Sequence, residues 1–119
     1  MANIKDSLDT LMSLDGAMAA AVVDGNSGMA LGKIGSGVDL DVAAAGNTEV
    51  VRSKMKTMKA LGLKEDIEDI LITLGTQYHI IRPFVTMPGL FVYLVLDKSR
   101  ANLAMARIKV QQIEKTLTV

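Results

Sequence analysis

Residues 32–37 read Gly-Lys-Ile-Gly-Ser-Gly and precede a predicted helix, an arrangement that invites comparison with a phosphate-binding loop. Free backbone amides at a helix N-terminus attract anions. A P-loop, however, needs Ser or Thr directly after Gly-Lys, and a dinucleotide-binding loop needs a unit of parallel strands. The segment meets neither requirement, so we expect it to connect a strand to a helix.

His79 is the one histidine of the chain and the one side chain that ordinarily titrates near neutral pH. General acid–base catalysis would need it in a cleft beside a partner group. It lies instead in the apolar strand-like stretch 78–81, where a hydrogen-bonded or half-exposed histidine is typical. The acidic residues between positions 66 and 69 fit a solvated turn, and the absence of Cys excludes thiol chemistry. The sequence therefore predicts no enzyme, no metal and no cofactor.

A basic strip along the second predicted helix contains Arg52, Lys54, Lys56 and Lys59. The chain has 13 Lys and Arg against 13 Asp and Glu, and no aromatic residues interleave with the strip, so nucleic-acid binding is not expected. The longest apolar runs, 17–23 and 90–96, fall short of the roughly 20 residues that span a bilayer. We expect no membrane insertion, no signal peptide and a cytoplasmic location.

The hydrophobic spacing predicts three helices and five strands in a single domain over residues 1–119. The predicted elements are a helix over 3–14, strands over 17–23 and 29–34, a helix from about 39 to 61, strands over 67–74, 77–85 and 90–96, and a helix over 103–117. Asp39 or Asp41 fits the N-cap of the second helix, Gly62 its end, and Ser99 the N-cap of the last. Residues 87–90 read Met-Pro-Gly-Leu, which predicts a type II turn.

The first and fifth strands are apolar on both faces, which indicates a sheet covered on both sides and therefore an α+β sandwich of helix, sheet and helix. The third strand, 67–74, carries no Pro and no Lys, so it would be unprotected at a sheet edge. The second helix has a broader apolar sector than one sheet needs. Together these features predict a homodimer that pairs this edge strand across a two-fold axis.

Three segments resemble the roadblock/LC7 family, which includes dynein light chains and bacterial MglB-like proteins. Residues 96–107 resemble the end of the family's last strand, where Asp and an Ala-Asn-Leu segment lead into the final helix. Residues 15–24, with Gly28 after them, resemble its first hairpin. The Ala-rich second helix ending in residues 60–63 also fits, and a single-domain chain of this kind is similar to the bacterial branch.

The resemblance implies a profilin-like three-layer fold, with a five-stranded antiparallel sheet between the second helix and the other two. It implies a homodimer formed by the second helix and the edge strand, with the interface at Ala43, Val50, Leu61, Ile67, Ile70 and Ile72. It further implies that the paired second helices bind and regulate a small Ras-like GTPase, for which we select Val50, Arg52, Lys54, Thr57 and Leu61. The alternative is a nucleotide-independent dimeric adaptor or scaffold, and a small-ligand sensor is a third possibility.

Overall fold

Three helices and five strands follow one another in the predicted order in the computed structural model, which describes residues 2–119. The elements are α1 Ile4–Met12, β1 Ala17–Asp24, β2 Met29–Gly35, α2 Leu40–Ala60, β3 Ile70–Thr73, β4 Gln77–Pro83, β5 Leu90–Asp97 and α3 Leu103–Thr116. Apart from β3, their ends lie within two residues of the predicted ones. The order α-β-β-α-β-β-β-α is thus confirmed.

The five strands form one sheet in the order β2-β1-β5-β4-β3, and every neighbouring pair is antiparallel. The inner strands β1 and β5 have apolar residues on both faces because helices lie on both sides. β2 and β3 are the two edges. The turn between β4 and β5 has the predicted type II form, since Leu90 donates to the Met87 carbonyl and Gly89 has a φ of +94°.

Two apolar layers enclose the sheet. On one side, α1 and α3 pack Leu8, Leu11 and Val110 against the sheet in a fully buried cluster. On the other side, α2 packs Ala44 and Val51 against a second cluster. The predicted sandwich of helix, sheet and helix is confirmed.

The long helix α2 begins at Asp39, whose carboxylate accepts from the amides of Asp41 and Val42 at 3.1 and 3.2 Å. It continues without a break through Gly46, a weak helix former. Gly62, with a φ of +72°, ends it as predicted. No helix within residues 2–119 is both long and apolar enough to cross a membrane.

The third strand is shorter than the sequence indicates, because β3 covers only Ile70–Thr73. The preceding residues are held by side chains from other elements: Arg82 donates to the Glu68 carbonyl at 3.0 Å, and Arg107 donates to both oxygens of the Asp69 carboxylate at 3.0 and 3.2 Å. These contacts hold Glu68 and Asp69 before the chain begins to pair with β4. The predicted start at Ile67 is therefore wrong by three residues.

Glu114 of α3 joins that helix to the sheet. One of its oxygens accepts from Arg82 Nε at 2.8 Å, and the other accepts from the amides of Val85 and Thr86 at 2.7 and 3.0 Å. Burial raises the pKa of Glu114, but the hydrogen bonds from Thr86, Arg82 and Val85 outweigh that effect and hold the pKa below its usual value. The carboxylate therefore stays ionised inside the protein, where it fixes the loop between β4 and β5.

The N-cap of α3 is Asn102, whose side chain accepts from the Met105 amide at 3.1 Å. The predicted cap, Ser99, is wrong. Its hydroxyl donates to Asp97 at 2.8 Å and belongs to the turn that follows β5.

Replacing Asn102 with Ala should lower the free energy of unfolding by about 1 kcal/mol, because it leaves a helix amide without its acceptor. Replacing Ser99 with Ala should cost less than about 0.5 kcal/mol. Urea unfolding followed by circular dichroism compares the two variants. A larger loss for the Ser99 variant would contradict the assignment of the cap.

Candidate functional site

Helix α2 covers only part of its side of the sheet. It packs mainly on β1 and β2, at one edge. A helix is about 10 Å across, whereas five strands span about 19 Å. Within residues 2–119, the helix therefore leaves part of the α2 side of β4 and β3 uncovered.

The floor of this uncovered region comes from alternate residues of β3 and β4. Ile72 pairs with His79, and Ile70 pairs with Ile81, so all four side chains lie on the α2 side of the sheet. Ile70, Ile72 and His79 are half-buried. The adjacent wall is one side of α2, because residues 43, 47 and 50 lie close together at 100° per residue. We call this surface the open face and define it by Ala43, Asn47, Val50, Ile70, Ile72 and His79.

The open face is mostly apolar, with the polar side chain of His79 at its centre. His79 Nδ1 lies 2.9 Å from the Tyr93 hydroxyl, and Nε2 lies 2.8 Å from Gln77 Oε1. Burial raises the pKa of Tyr93, and a hydrogen bond with Asn47 opposes that shift. Both ring nitrogens of His79 thus have partners, as expected for a hydrogen-bonded strand histidine.

Beyond the end of the open face, the last turns of α2 project past the sheet. Met55 is 46% exposed, and an open depression of about 360 Å³ lies between it, Met58 and the segment that ends at Ile67. Leu61, the C-cap of α2, is 66% exposed. Apolar side chains of this size in contact with water are typical of surfaces that bind another protein.

The structure brings most of the selected residues together. Val50, Lys54, Thr57 and Leu61 lie on the same side of α2, and all four are exposed. Ile70 and Ile72 lie across from them on the floor of the open face. Ile67 lies in the connecting segment before β3, beside the Met55 depression.

Arg52 is separated from this group. It lies on the nearly opposite side of α2, where its guanidinium donates to the carbonyls of Gly25 and Asn26, each at 2.9 Å. It also pairs with Glu49 at 3.1 Å. Arg52 therefore ties α2 to the turn between β1 and β2, and the five residues selected for a partner do not form one continuous patch.

Sequence reasoning missed Asn47 as a site residue. Its apposition to Tyr93 depends on the packing of α2 across β5, which no local pattern encodes. Within residues 2–119, no group of three or more His, Asp or Glu side chains is arranged to hold a metal ion.

No protein-family model matches the sequence, and no curated protein matches it significantly. Solved structures do match. Myxococcus xanthus MglB superimposes with a TM-score of 0.82 at 15% identity, over 94% of this chain and 89% of that one. A roadblock/LC7 domain from Streptomyces avermitilis gives a TM-score of 0.83 at 12% identity, over 97% and 94%.

A third structure, described as MglB with a tetrameric arrangement, gives a TM-score of 0.81 at 15% identity, over 94% of this chain and 82% of that one. At these identities the likeness defines the fold. The chain has the roadblock/LC7 fold, as the sequence resemblance implied.

Proposed function

We propose that this protein is a non-enzymatic homodimeric module that binds and regulates a small Ras-like GTPase. The observation that carries the proposal is the open face beside α2, an apolar surface next to an unprotected sheet edge. The roadblock/LC7 fold, shared with MglB structures, supports the choice of partner.

The two edges of the sheet differ in a way that favours β3 for self-association. β2 carries Lys33 and a bulge at Leu31, where the register with β1 shifts between Val22 and Val23. Both features discourage the addition of another strand. β3 reads Ile-Leu-Ile-Thr, with no charge, no Pro and no register shift. Pairing two copies of β3 would extend the sheet to ten strands.

Pairing of two β3 strands would also cover the open face. A two-fold axis at β3 brings the open face of the second copy next to that of the first, because an isologous interface is self-complementary. Ala43, Val50, Ile70 and Ile72 would then be buried by the equivalent surface. The tetrameric arrangement described for one solved MglB shows that a chain of this fold can self-associate.

We assign the GTPase to the exposed end of the paired α2 helices, around Lys54, Thr57 and Leu61. Leu61 offers an apolar anchor and Lys54 a cation, and both side chains are exposed in the protomer. Arg52 is the weakest member of the predicted set, because three hydrogen bonds already hold its guanidinium.

Capture of partners from lysate of the protein's own cells tests the assignment when it is run in parallel with a non-hydrolysable GTP analogue and with GDP. Mass spectrometry should identify a small GTPase that is enriched in one nucleotide state only. A partner that is indifferent to the nucleotide would contradict the proposal and favour the adaptor.

Replacing Leu61 with Glu should weaken binding of that GTPase by about tenfold or more, since a charge would replace an exposed apolar anchor. The fold should be unaffected because the side chain is already in water. Met105→Glu is the matched control, since Met105 is 51% exposed on the far side of the sheet, on α3. Isothermal titration calorimetry measures the affinity of both variants for the GTPase. Equal affinity for the two variants would mean that the GTPase does not bind at Leu61.

A further inference from the structure

His79, the one histidine of the chain, lies on the surface that the second copy would cover. It is in the middle of the open face, between Ile72 on the edge strand β3 and Val95 on β5. Any helix that packs over Ile70 and Ile72 must also reduce the access of water to this ring. The protonation state of His79 therefore bears directly on assembly.

The hydrogen bonds around the ring fit a neutral imidazole. Gln77 Oε1 can only accept, so Nε2 carries the proton and donates to it at 2.8 Å. In the neutral ring, Nδ1 is then an acceptor for the Tyr93 hydroxyl at 2.9 Å. A second proton on Nδ1 would reverse this bond and force the Tyr93 hydroxyl, which is itself buried, to donate elsewhere.

Within residues 2–119, the hydrogen-bond partners of His79 are Gln77 and Tyr93, so no carboxylate is bonded to the ring to balance a positive charge. β3 contributes only Ile70 and Ile72 to this side, and β5 contributes Tyr93 and Val95. The facing side of α2 carries Asn47, Val50 and Lys54, of which only Lys54 is charged, and its charge is positive. Asp97 lies on the same side at the end of β5, opposite Gln77, and already accepts from the amide and hydroxyl of Ser99 at 3.0 and 2.8 Å.

We propose that self-association through β3 requires the neutral form of His79, so that the dimer weakens as the solution becomes mildly acidic. This inference rests on the proposed dimer. The second copy would bring its own open face, whose α2 side again offers Lys54 and no acid. An imidazolium would then be buried without a hydrogen-bonded counter-ion, which is unfavourable.

The direction of the pH effect follows from the linkage between proton binding to His79 and dimerisation. Burial already lowers the pKa of His79 in the protomer, and further cover by a second copy would lower it more. The dimer then binds fewer protons than two separate protomers, so association is favoured above the pKa of the free protomer and lost as pH falls through it. If dimerisation lowers the pKa of each His79 by one unit, protonation weakens the dimer by up to about tenfold per protomer, and each dimer contains two His79 rings.

Sedimentation equilibrium of the full chain at about pH 8 and about pH 5.5, at constant ionic strength, measures the effect. This range lies above the ordinary pKa values of Asp and Glu side chains. The dissociation constant of the wild-type dimer should rise at the lower pH, by up to about tenfold for each unit by which dimerisation lowers the pKa of each ring. His79→Gln, which cannot be protonated there, should give the same dissociation constant at both values.

The outcomes separate this inference from the proposed dimer. A wild-type chain that is monomeric at about pH 8 would overturn both. A dimer that is equally tight at both pH values, or whose acid sensitivity survives in His79→Gln, would overturn the role of His79 alone. Because there is one histidine, its ring proton resonances can also be titrated by NMR without a variant. The pKa should fall with increasing protein concentration as dimers form, and a pKa independent of concentration would contradict the inference.

Discussion

Replacing Ile70 with Lys is expected to convert the proposed dimer into a monomer, with a dissociation constant raised by at least about a hundredfold. Ile70 is half-buried on the floor of the open face and pairs with Ile81. A lysine there would place an ammonium group in the proposed interface and would add charge to an edge strand that has none. Sedimentation velocity at micromolar concentration distinguishes the two states.

The matched control is Leu31→Lys, which makes the same kind of change on the other edge strand. Leu31 is 47% exposed at the bulge in β2. This variant should remain dimeric, and both should keep the far-ultraviolet circular dichroism of the wild type. If Ile70→Lys is dimeric while Leu31→Lys is monomeric, the interface lies at β2 and the proposed dimer is wrong.

Replacing Glu114 with Gln should lower the free energy of unfolding by about 2 to 4 kcal/mol near neutral pH. The Glu114 side chain is only 5% exposed, and its carboxylate accepts from Arg82, Val85 and Thr86. The amide would leave the half-buried Arg82 without its counter-charge. Glu49→Gln is the control, because the Glu49 side chain is 73% exposed and its pair with Arg52 should contribute little.

The cost of the Glu114 substitution should depend on pH. Because the pKa of Glu114 is held below its ordinary value of 4.5, its contribution is fully present above that value and is lost as pH falls through the lower, folded-state pKa. Chemical denaturation across this range should therefore show wild type and Glu114→Gln converging in acid. If the difference in the free energy of unfolding between the two proteins did not change with pH, the ionised Glu114 carboxylate would not be the cause of the destabilisation.

The parts of the fold that local patterns encode were predictable. Helix α2 was readable from its 3.6-residue spacing and from Asp39 and Gly62 at its ends, because each signal lies within the helix or next to it. The type II turn was readable because Pro88 and Gly89 occupy the two positions that this turn constrains. The sandwich followed from β1 and β5, whose apolar residues on both faces require cover on both sides.

The errors arose where specific side-chain hydrogen bonds decide between two locally plausible structures. The sequence places the start of β3 at Ile67, but Arg82 and Arg107 bind Glu68 and Asp69 and the strand begins only at Ile70. Ser99 and Asn102 both suit an N-cap, and the bond between Ser99 and Asp97 left Asn102 for that role.

Part of the candidate site could not be predicted from the sequence either. Arg52 appeared available for a partner, but the turn between β1 and β2, 26 residues away in sequence at Asn26, occupies its guanidinium. The apolar wall at Ala43 and Val50 was predictable from helical spacing alone. The polar centre at His79 was not, because it forms only when β4, β5 and α2 are placed side by side.

Cysteine cross-linking along the two sheet edges tests the β3 dimer most directly. The chain contains no Cys, so each single substitution reports on one position. Directly opposed residues of antiparallel strands lie about 4.5 to 5.5 Å apart at Cα, within the range of a disulfide. Cys at one or two of positions 70–73 should therefore give a rapid covalent dimer on mild oxidation, whereas Cys at positions 29 and 31 of β2 should not. Cross-links at β2 with none along β3 would contradict the proposed assembly.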